Sequence, residues 1–108
     1  MAQNFRRYIA RNVTTSASTI FTADTYDTII GIYLANTTAS NITVSVYLTV
    51  AGADYYLVKS APIPTGSALQ ILDSGSKVVV QNGDVLKVIS DTATSVDVWV
   101  STVDDISS

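Results

Sequence analysis

Residues 42–50 read Ile-Thr-Val-Ser-Val-Tyr-Leu-Thr-Val, and this stretch decides the fold. Apolar and polar residues alternate along it, so every second side chain points to the same face of an extended chain. Ala51-Gly52-Ala53-Asp54 then reverses the chain into Tyr55-Tyr56-Leu57-Val58-Lys59, which predicts a β-hairpin. A hairpin with one apolar face needs a second layer of structure to cover that face.

The same period of two recurs on both sides of this hairpin. Residues 28–36 predict a strand with Ile30, Ile32 and Leu34 pointing inward, and residues 96–101 predict another. Several short strands at this spacing, with no helical pattern between them, are typical of a β-sandwich or a jelly-roll-like barrel.

Two turn signals divide the second half of the chain. Pro62 and Pro64 lack the backbone donor that a central strand needs, so pairing should lapse there or the strand should lie at an edge. Asn82-Gly83 favours a tight turn, because both residues tolerate positive φ angles, and we expect it to join residues 78–80 to residues 85–89 as a hairpin.

Composition supports the same fold class. Val, Ile and Thr supply 38 of the 108 residues and Glu is absent, which favours sheets over helices. We therefore predict an all-β fold, a single β-sandwich or jelly-roll-like domain of about eight strands. Residues 5–14 indicate a first strand or an extended N-terminal arm. On this basis residues 1–27 are an arm and polar connection, and residues 28–108 are the sandwich of one structural domain.

The titratable residues do not favour catalysis. The chain has no His and no Cys, so its candidate acids and bases are Asp, Lys and Tyr. Asp24 and Asp27 can share a cation, although Asp more often caps a turn. We predict a chain that is not an enzyme, with no catalytic residue, no cofactor site and no metal site.

Charge and hydropathy narrow the choice of partners. The net charge is -3, and general nucleic-acid binding needs a basic face. No apolar run approaches the roughly 20 residues that cross a bilayer. We therefore expect neither a membrane nor a nucleic acid as partner, and synthesis in a cytoplasm.

Two groups of residues suggest contact with other proteins. Tyr33, Tyr47 and Trp99 fall on the polar sides of their strands, so they either meet a partner or are covered within the chain. The basic residues near the N-terminus belong either to an arm that binds a neighbour's carboxylates or to an ordinary strand. The candidate contact residues are Phe5, Arg6, Arg7, Tyr8, Arg11, Tyr33, Tyr47 and Trp99.

Several segments together carry a family resemblance. They are residues 1–11 (Met-Ala-Gln-Asn-Phe-Arg-Arg-Tyr-Ile-Ala-Arg), 29–36 (Ile-Ile-Gly-Ile-Tyr-Leu-Ala-Asn), 62–69 (Pro-Ile-Pro-Thr-Gly-Ser-Ala-Leu), 83–88 (Gly-Asp-Val-Leu-Lys-Val) and 95–101 (Ser-Val-Asp-Val-Trp-Val-Ser). In these the chain resembles small virion structural proteins of tailed bacteriophages, especially those of cyanophage type. The resemblance implies a non-enzymatic virion component present in many copies, a homo-oligomer, with no functional residue that transfers.

Three roles stay open at this point. The first is a capsid-decoration or cement protein that binds the phage major capsid protein through its N-terminal arm, in which case residues 1–12 should be removable without unfolding the domain. The second is a neck, tail or fibre accessory subunit. The third is a glycan-binding module that uses Trp99, and a hydrolase is more remote because it would need a buried carboxylate pair in a cleft.

Overall fold

The computed structural model describes residues 4–23, 27–71 and 78–104. These residues form nine strands and no helix, so the described part of the chain holds no helix that could span a membrane. The strands are β1 (Asn4–Val13), β2 (Ser18–Thr22), β3 (Asp27–Asn36), β4 (Ile42–Val50), β5 (Ala53–Ile63), β6 (Ala68–Gln70), β7 (Val78–Val80), β8 (Val85–Ser90) and β9 (Val96–Asp104).

The strands form two antiparallel sheets. The first has the order β1-β9-β3-β6, with β7 also paired to β3, and the second has the order β2-β8-β4-β5. The pairs are nested around one hairpin, because β4 pairs with β5, β3 with β6 and β7, β2 with β8, and β1 with β9. Nested pairs shared between two sheets are the arrangement of a jelly roll. The predicted all-β sandwich is therefore confirmed.

The β4–β5 hairpin has the turn that its sequence predicts. Val50 pairs with Ala53, so Ala51 and Gly52 are the two turn residues. Their φ angles are 52° and 85°, and positive values at both positions belong to a type I′ turn, whose twist matches that of the strands.

Strand β5 lies at the edge of the second sheet, as the two prolines predict. Pro62 lies opposite Thr43 in β4. The N–H of Thr43 donates to the Asp91 carboxylate and its carbonyl accepts from the Asp91 N–H, so both groups point toward β8. Pro62 therefore turns its missing donor toward the open edge, where no ladder bond is lost.

Apolar residues from both sheets form the core. The large side chains that are fully buried include Ile29, Ile32, Leu34, Ile42, Ile63 and Leu86. The expectation that Ile30 points inward is wrong, because the register between β3 and β9 shifts between Ile29 and Gly31. This bulge makes Ile30 an extra residue, half-buried, and Ile29 takes the inward position.

The expected hairpin across Asn82-Gly83 is also wrong. The turn itself is present, with φ of 92° at Gly83. However, β7 pairs with β3 in the first sheet and β8 pairs with β2 and β4 in the second. The turn carries the chain from one sheet to the other, and the Gly83 N–H donates to the carbonyl of Ala23 at 2.8 Å.

The N-terminal segment is a strand and not a projecting arm. Asn4 to Ala10 pair in continuous register with β9, and the Tyr8 ring stacks on Phe21 of β2, with centroids 4.3 Å apart. Strands β1 and β2 thus lie within the sandwich. Removing residues 1–12 would strip an edge strand from the first sheet, so we now expect this deletion to destabilise the domain.

Candidate protein-contact face

Three large apolar side chains form a row across the outer surface of the first sheet. Ile9 of β1 lies opposite Trp99 of β9, and Trp99 lies opposite Tyr33 of β3. Residues directly opposite in an antiparallel pair project from the same face, with Cβ atoms about 5 Å apart. Their exposed fractions are 57%, 46% and 47%. We call this surface, together with Arg7, the Trp99 face.

Alternation along β9 places Trp99 outside. Val98 and Val100 are buried in the core, so the residue between them must point away from it. An isolated domain gains little from three exposed apolar side chains at adjacent positions on one sheet face, whereas aromatic residues are enriched where proteins meet.

Arg7 lies beside this row and reaches onto it. Its backbone pairs with Ser101, one step along the same face, and its guanidinium Cζ lies 5.7 Å from the centroid of the Trp99 ring. The indole quadrupole attracts the cation, so the ring and the guanidinium hold each other in place. A stacked guanidinium keeps its N–H groups free to bind a carboxylate in a bidentate manner.

A shallow depression lies on each side of the Trp99 ring. One is lined by Arg7, Ile30 and Ser101 among others, and the other by Ile9, Arg11 and Asp97. Trp99 therefore lines both depressions, and each of them also has an arginine in its lining.

A bulge in β1 shapes the second depression. The register with β9 shifts between Ala10 and Val13, and Asn12 has a φ of 58°, a conformation that Asn tolerates better than most residues. The Asn12 N–H donates to Oδ1 of Asp97 at 3.1 Å. Asp97 is thus held within its own chain by this bond.

Comparison with known proteins bears on the fold. No protein-family model matches the chain, and no curated protein matches it. Its structure is similar to that of a chain from Bacillus endospore appendages, which form a novel family of disulfide-linked pili, with a TM-score of 0.51 and 18% identity. The likeness covers 94% of this chain and 84% of that chain. It is a likeness of fold. This chain contains no cysteine, so disulfide links are not open to it.

The predicted contact residues divide into different environments. Arg7, Arg11, Tyr33 and Trp99 are exposed, and all except Arg11 belong to the Trp99 face. Arg6 is exposed and lines the depression beside Arg7. Tyr8 points the other way, half-buried against Phe21. The side chain of Phe5 lies outside the described part of the structure, although its backbone pairs with Val103.

Tyr47 is buried, so for this residue the second of the two predictions applies: the ring is covered by other residues of the same chain. Its exposed fraction is 7%, and its ring lies 4.9 Å from that of Tyr56 on the edge strand β5. Burial raises the pKa of the Tyr47 hydroxyl, and the nearby Asp54 carboxylate raises it further. Lys59 sits over the Tyr56 ring at 5.1 Å. Tyr47 is therefore not available to a partner.

The acidic side chains are the residues that could hold a metal ion. No group of three or more His, Cys, Asp or Glu side chains suited to a metal ion occurs among residues 4–23, 27–71 and 78–104. Asp24 lies outside the described residues, and Asp27 is buried at the start of β3.

Sequence reasoning missed three exposed residues. Ile9 was passed over because the face of β1 is fixed only when its pairing with β9 is known. Tyr55 and Tyr56 are exposed at 60% and 46%, and the alternating pattern hid them because two register shifts interrupt the pairing of β4 with β5. Their position after the Ala51-Gly52 turn, on a strand that contains Pro62 and ends just before Pro64, was the available signal that β5 is an edge.

Proposed function

We propose that this chain is a non-enzymatic structural subunit present in many copies in a virion. In its most specific form, the proposal is that the chain is a decoration protein. It would bind the major capsid protein of a tailed bacteriophage and associate with further copies of itself. The observation that carries the proposal is the Trp99 face, an exposed row of apolar side chains crossed by an arginine. Such a surface suits association, because Trp, Tyr and Arg dominate the energetics of protein contacts.

The absence of a deep cleft on this face supports a structural role. Both depressions around Trp99 are shallow, whereas small-molecule sites usually bury most of their ligand. A broad sheet face offers area, which is what contact between subunits requires.

A neck, tail or fibre position in the particle is the second candidate. It is favoured by the likeness of fold to a subunit of the endospore pili, because that protein shows that this fold can be used in a linear assembly. Without cysteine, an assembly of this chain cannot be linked by disulfides as those pili are.

A glycan-binding role for Trp99 is less well supported. Aromatic rings that bind sugars use an open ring face, and the Arg7 guanidinium lies over the Trp99 ring. On that face of the ring, a sugar would have to displace this contact before it could stack.

The experiment is quantitative mass spectrometry of purified particles from the phage that encodes the chain. The abundance of this chain is compared with that of the major capsid protein, with a known tail protein as the internal reference. A ratio close to one supports decoration of the shell, and a ratio of a few per cent supports the neck or tail. Absence from the particles would contradict the virion role.

A further inference from the structure

The described surface holds a second group of exposed aromatic residues, on the other sheet. Tyr55 and Tyr56 stand on the edge strand β5, next to Asp54. We call Asp54, Tyr55 and Tyr56 the β5 edge. The Trp99 face lies on the outside of the first sheet, so the two surfaces point in different directions from one molecule.

The charges of these two surfaces are opposite where the rings are most exposed. Arg7 and Arg11 lie on or beside the Trp99 face, and both are exposed. Asp54 is exposed on the β5 edge, where Oδ1 accepts a hydrogen bond from the Thr49 hydroxyl at 2.8 Å. A carboxylate has about four lone-pair sites, so Asp54 retains the capacity to accept a guanidinium.

Asp91 and Asp84 differ from Asp54 in that each accepts a hydrogen bond from a backbone N–H and so holds the chain at a strand end or turn. Asp91 caps the start of β4 by accepting from the Thr43 N–H, and Asp84 accepts from the Gln81 N–H. Asp54 directly precedes Tyr55 in the edge strand, so their two side chains flank that edge from opposite faces of the sheet, and a partner that meets the edge can touch both. Lys59 covers Tyr56, so the acidic end of the β5 edge is the end at Asp54 and Tyr55.

We propose that the β5 edge of one copy docks on the Trp99 face of a second copy, with Asp54 paired to Arg7 and Tyr55 packed beside Trp99. The inference rests on the proposed function as a multi-copy subunit and names the partner, a second copy of this chain. Because two different surfaces meet, the contact is head-to-tail, and repetition gives a ring or a fibre.

The size of the face is compatible with this contact. The strands lie about 4.8 Å apart and rise about 3.4 Å per residue. The four strands β1, β9, β3 and β6 therefore present a face on the order of 500 Å². A standard interface buries roughly 800 Å² on each partner. The face therefore supplies most of an interface, and the neighbouring loops can supply the rest.

Reversal of the two charges tests the pairing. Arg7→Asp and Asp54→Arg are made singly and together, and self-association of the full chain is measured by sedimentation velocity over a range of concentrations. Ala17→Arg, at an exposed position in the β1–β2 connection, controls for net charge. Circular dichroism confirms that each variant is folded, and Tyr55→Ser probes the same contact without a change of charge.

Each single reversal should weaken self-association at least about tenfold, and the double reversal should restore most of it, as expected for residues in direct contact. Tyr55→Ser should also weaken it, and Ala17→Arg should not. The inference is overturned if the wild-type chain stays monomeric at about 1 mM, a limit that corresponds to about -4 kcal/mol of binding. It is equally overturned if the double reversal gives no rescue.

The two proposals fail in different ways. If the chain is abundant in particles but Asp54→Arg associates like the wild type, the virion role stands and the contact between copies is wrong. If the rescue is seen but the chain is absent from particles, the contact stands and the virion role is wrong.

Discussion

The guanidinium of Arg7 lies over the indole ring of Trp99, with Cζ 5.7 Å from the ring centroid. The two residues belong to neighbouring strands, β1 and β9, and both project from the outer face of the sheet. An exposed contact of this kind is worth about 0.5–1 kcal/mol. Its value to the protein therefore lies less in stability than in fixing the orientation of a large ring before a partner arrives.

Replacing Arg7 should have a small effect on folding. We expect Arg7→Ala to lower the free energy of unfolding by about 0.5–1 kcal/mol, because one exposed cation–π contact and some stem packing are lost. The measurement is urea denaturation followed by tryptophan fluorescence, with Arg11→Ala as the matched exposed arginine. A loss of more than about 2 kcal/mol would show that Arg7 has a role in the core.

Truncation of two tyrosines should destabilise the fold by very different amounts. Tyr47 is buried against Tyr56, so Tyr47→Ala should destabilise the fold by about 3–5 kcal/mol, as for other large aromatic residues in a core. Tyr33→Ala, on the exposed face, should cost about 1 kcal/mol or less. Equal losses in thermal or chemical unfolding would contradict the burial difference between them.

Asn36 should be among the least replaceable polar residues. Its Oδ1 accepts from the N–H and the hydroxyl of Thr38, each at 2.8 Å, and its Nδ2 donates to the carbonyls of Ser40 and Ile63 at 2.8 and 2.9 Å. Asn36→Ala removes all four of these bonds, including the buried one to the Ile63 carbonyl, so we expect a loss of about 2–4 kcal/mol. The measurement is equilibrium unfolding by urea.

The matched control for Asn36 is Asn41→Ala. Asn41 is exposed and its Oδ1 accepts one hydrogen bond, from the Thr65 N–H at 3.1 Å. Its loss should cost about 1 kcal/mol or less. If the two variants were equally stable, the network around Asn36 would not be what holds the end of β3.

Stability should fall with acid partly through Asp91. The hydrogen bond from the Thr43 N–H lowers the pKa of Asp91, and one from the Thr92 hydroxyl lowers it further. A carboxyl whose pKa is lower in the folded state stabilises the fold above its unfolded pKa of about 3.9, and this contribution is lost as pH falls through the folded value.

The measurement is the free energy of unfolding of the wild type and of Asp91→Asn from pH 7 to pH 2. The advantage of the wild type should be constant above about pH 5 and should shrink below about pH 4. An advantage that grew on acidification would contradict the lowered pKa.

The sequence predicts the fold class well because the alternation along β4 and β9 is regular. Each strand covers one face of the core, and a period of two allows no other way to bury Val44, Val46, Val98 and Val100 together. The turn at Ala51-Gly52 is also local, so its hairpin could be predicted.

Pairing between distant strands could not be predicted in the same way. Asn82-Gly83 marks a turn, but whether a turn joins partners or crosses between sheets depends on β3, which lies some 50 residues earlier. The bulge at Ile30 similarly depends on the register with β9. Alternation predicts which face of a sheet each side chain lies on. Which strands are neighbours is determined by the packing of the whole sandwich.

Only part of the Trp99 face could be predicted, because the rest of it depends on how distant strands pair. Trp99 and Tyr33 follow from alternation within their own strands, whereas Ile9 joins them only through the register of β1 on β9. Tyr47 has the same pattern as Tyr33 in its own strand, and it is buried because Tyr56 covers it from the neighbouring strand.

The central claim is that the Trp99 face makes contact with other proteins, and Trp99→Ala tests it most directly when assembly and stability are measured on the same variant. We expect incorporation into particles to fall by more than about tenfold. Because the ring is 46% exposed, we expect the free energy of unfolding to fall by only about 1–2 kcal/mol. Normal incorporation, or a loss of stability large enough to account for the loss of assembly, would contradict the account.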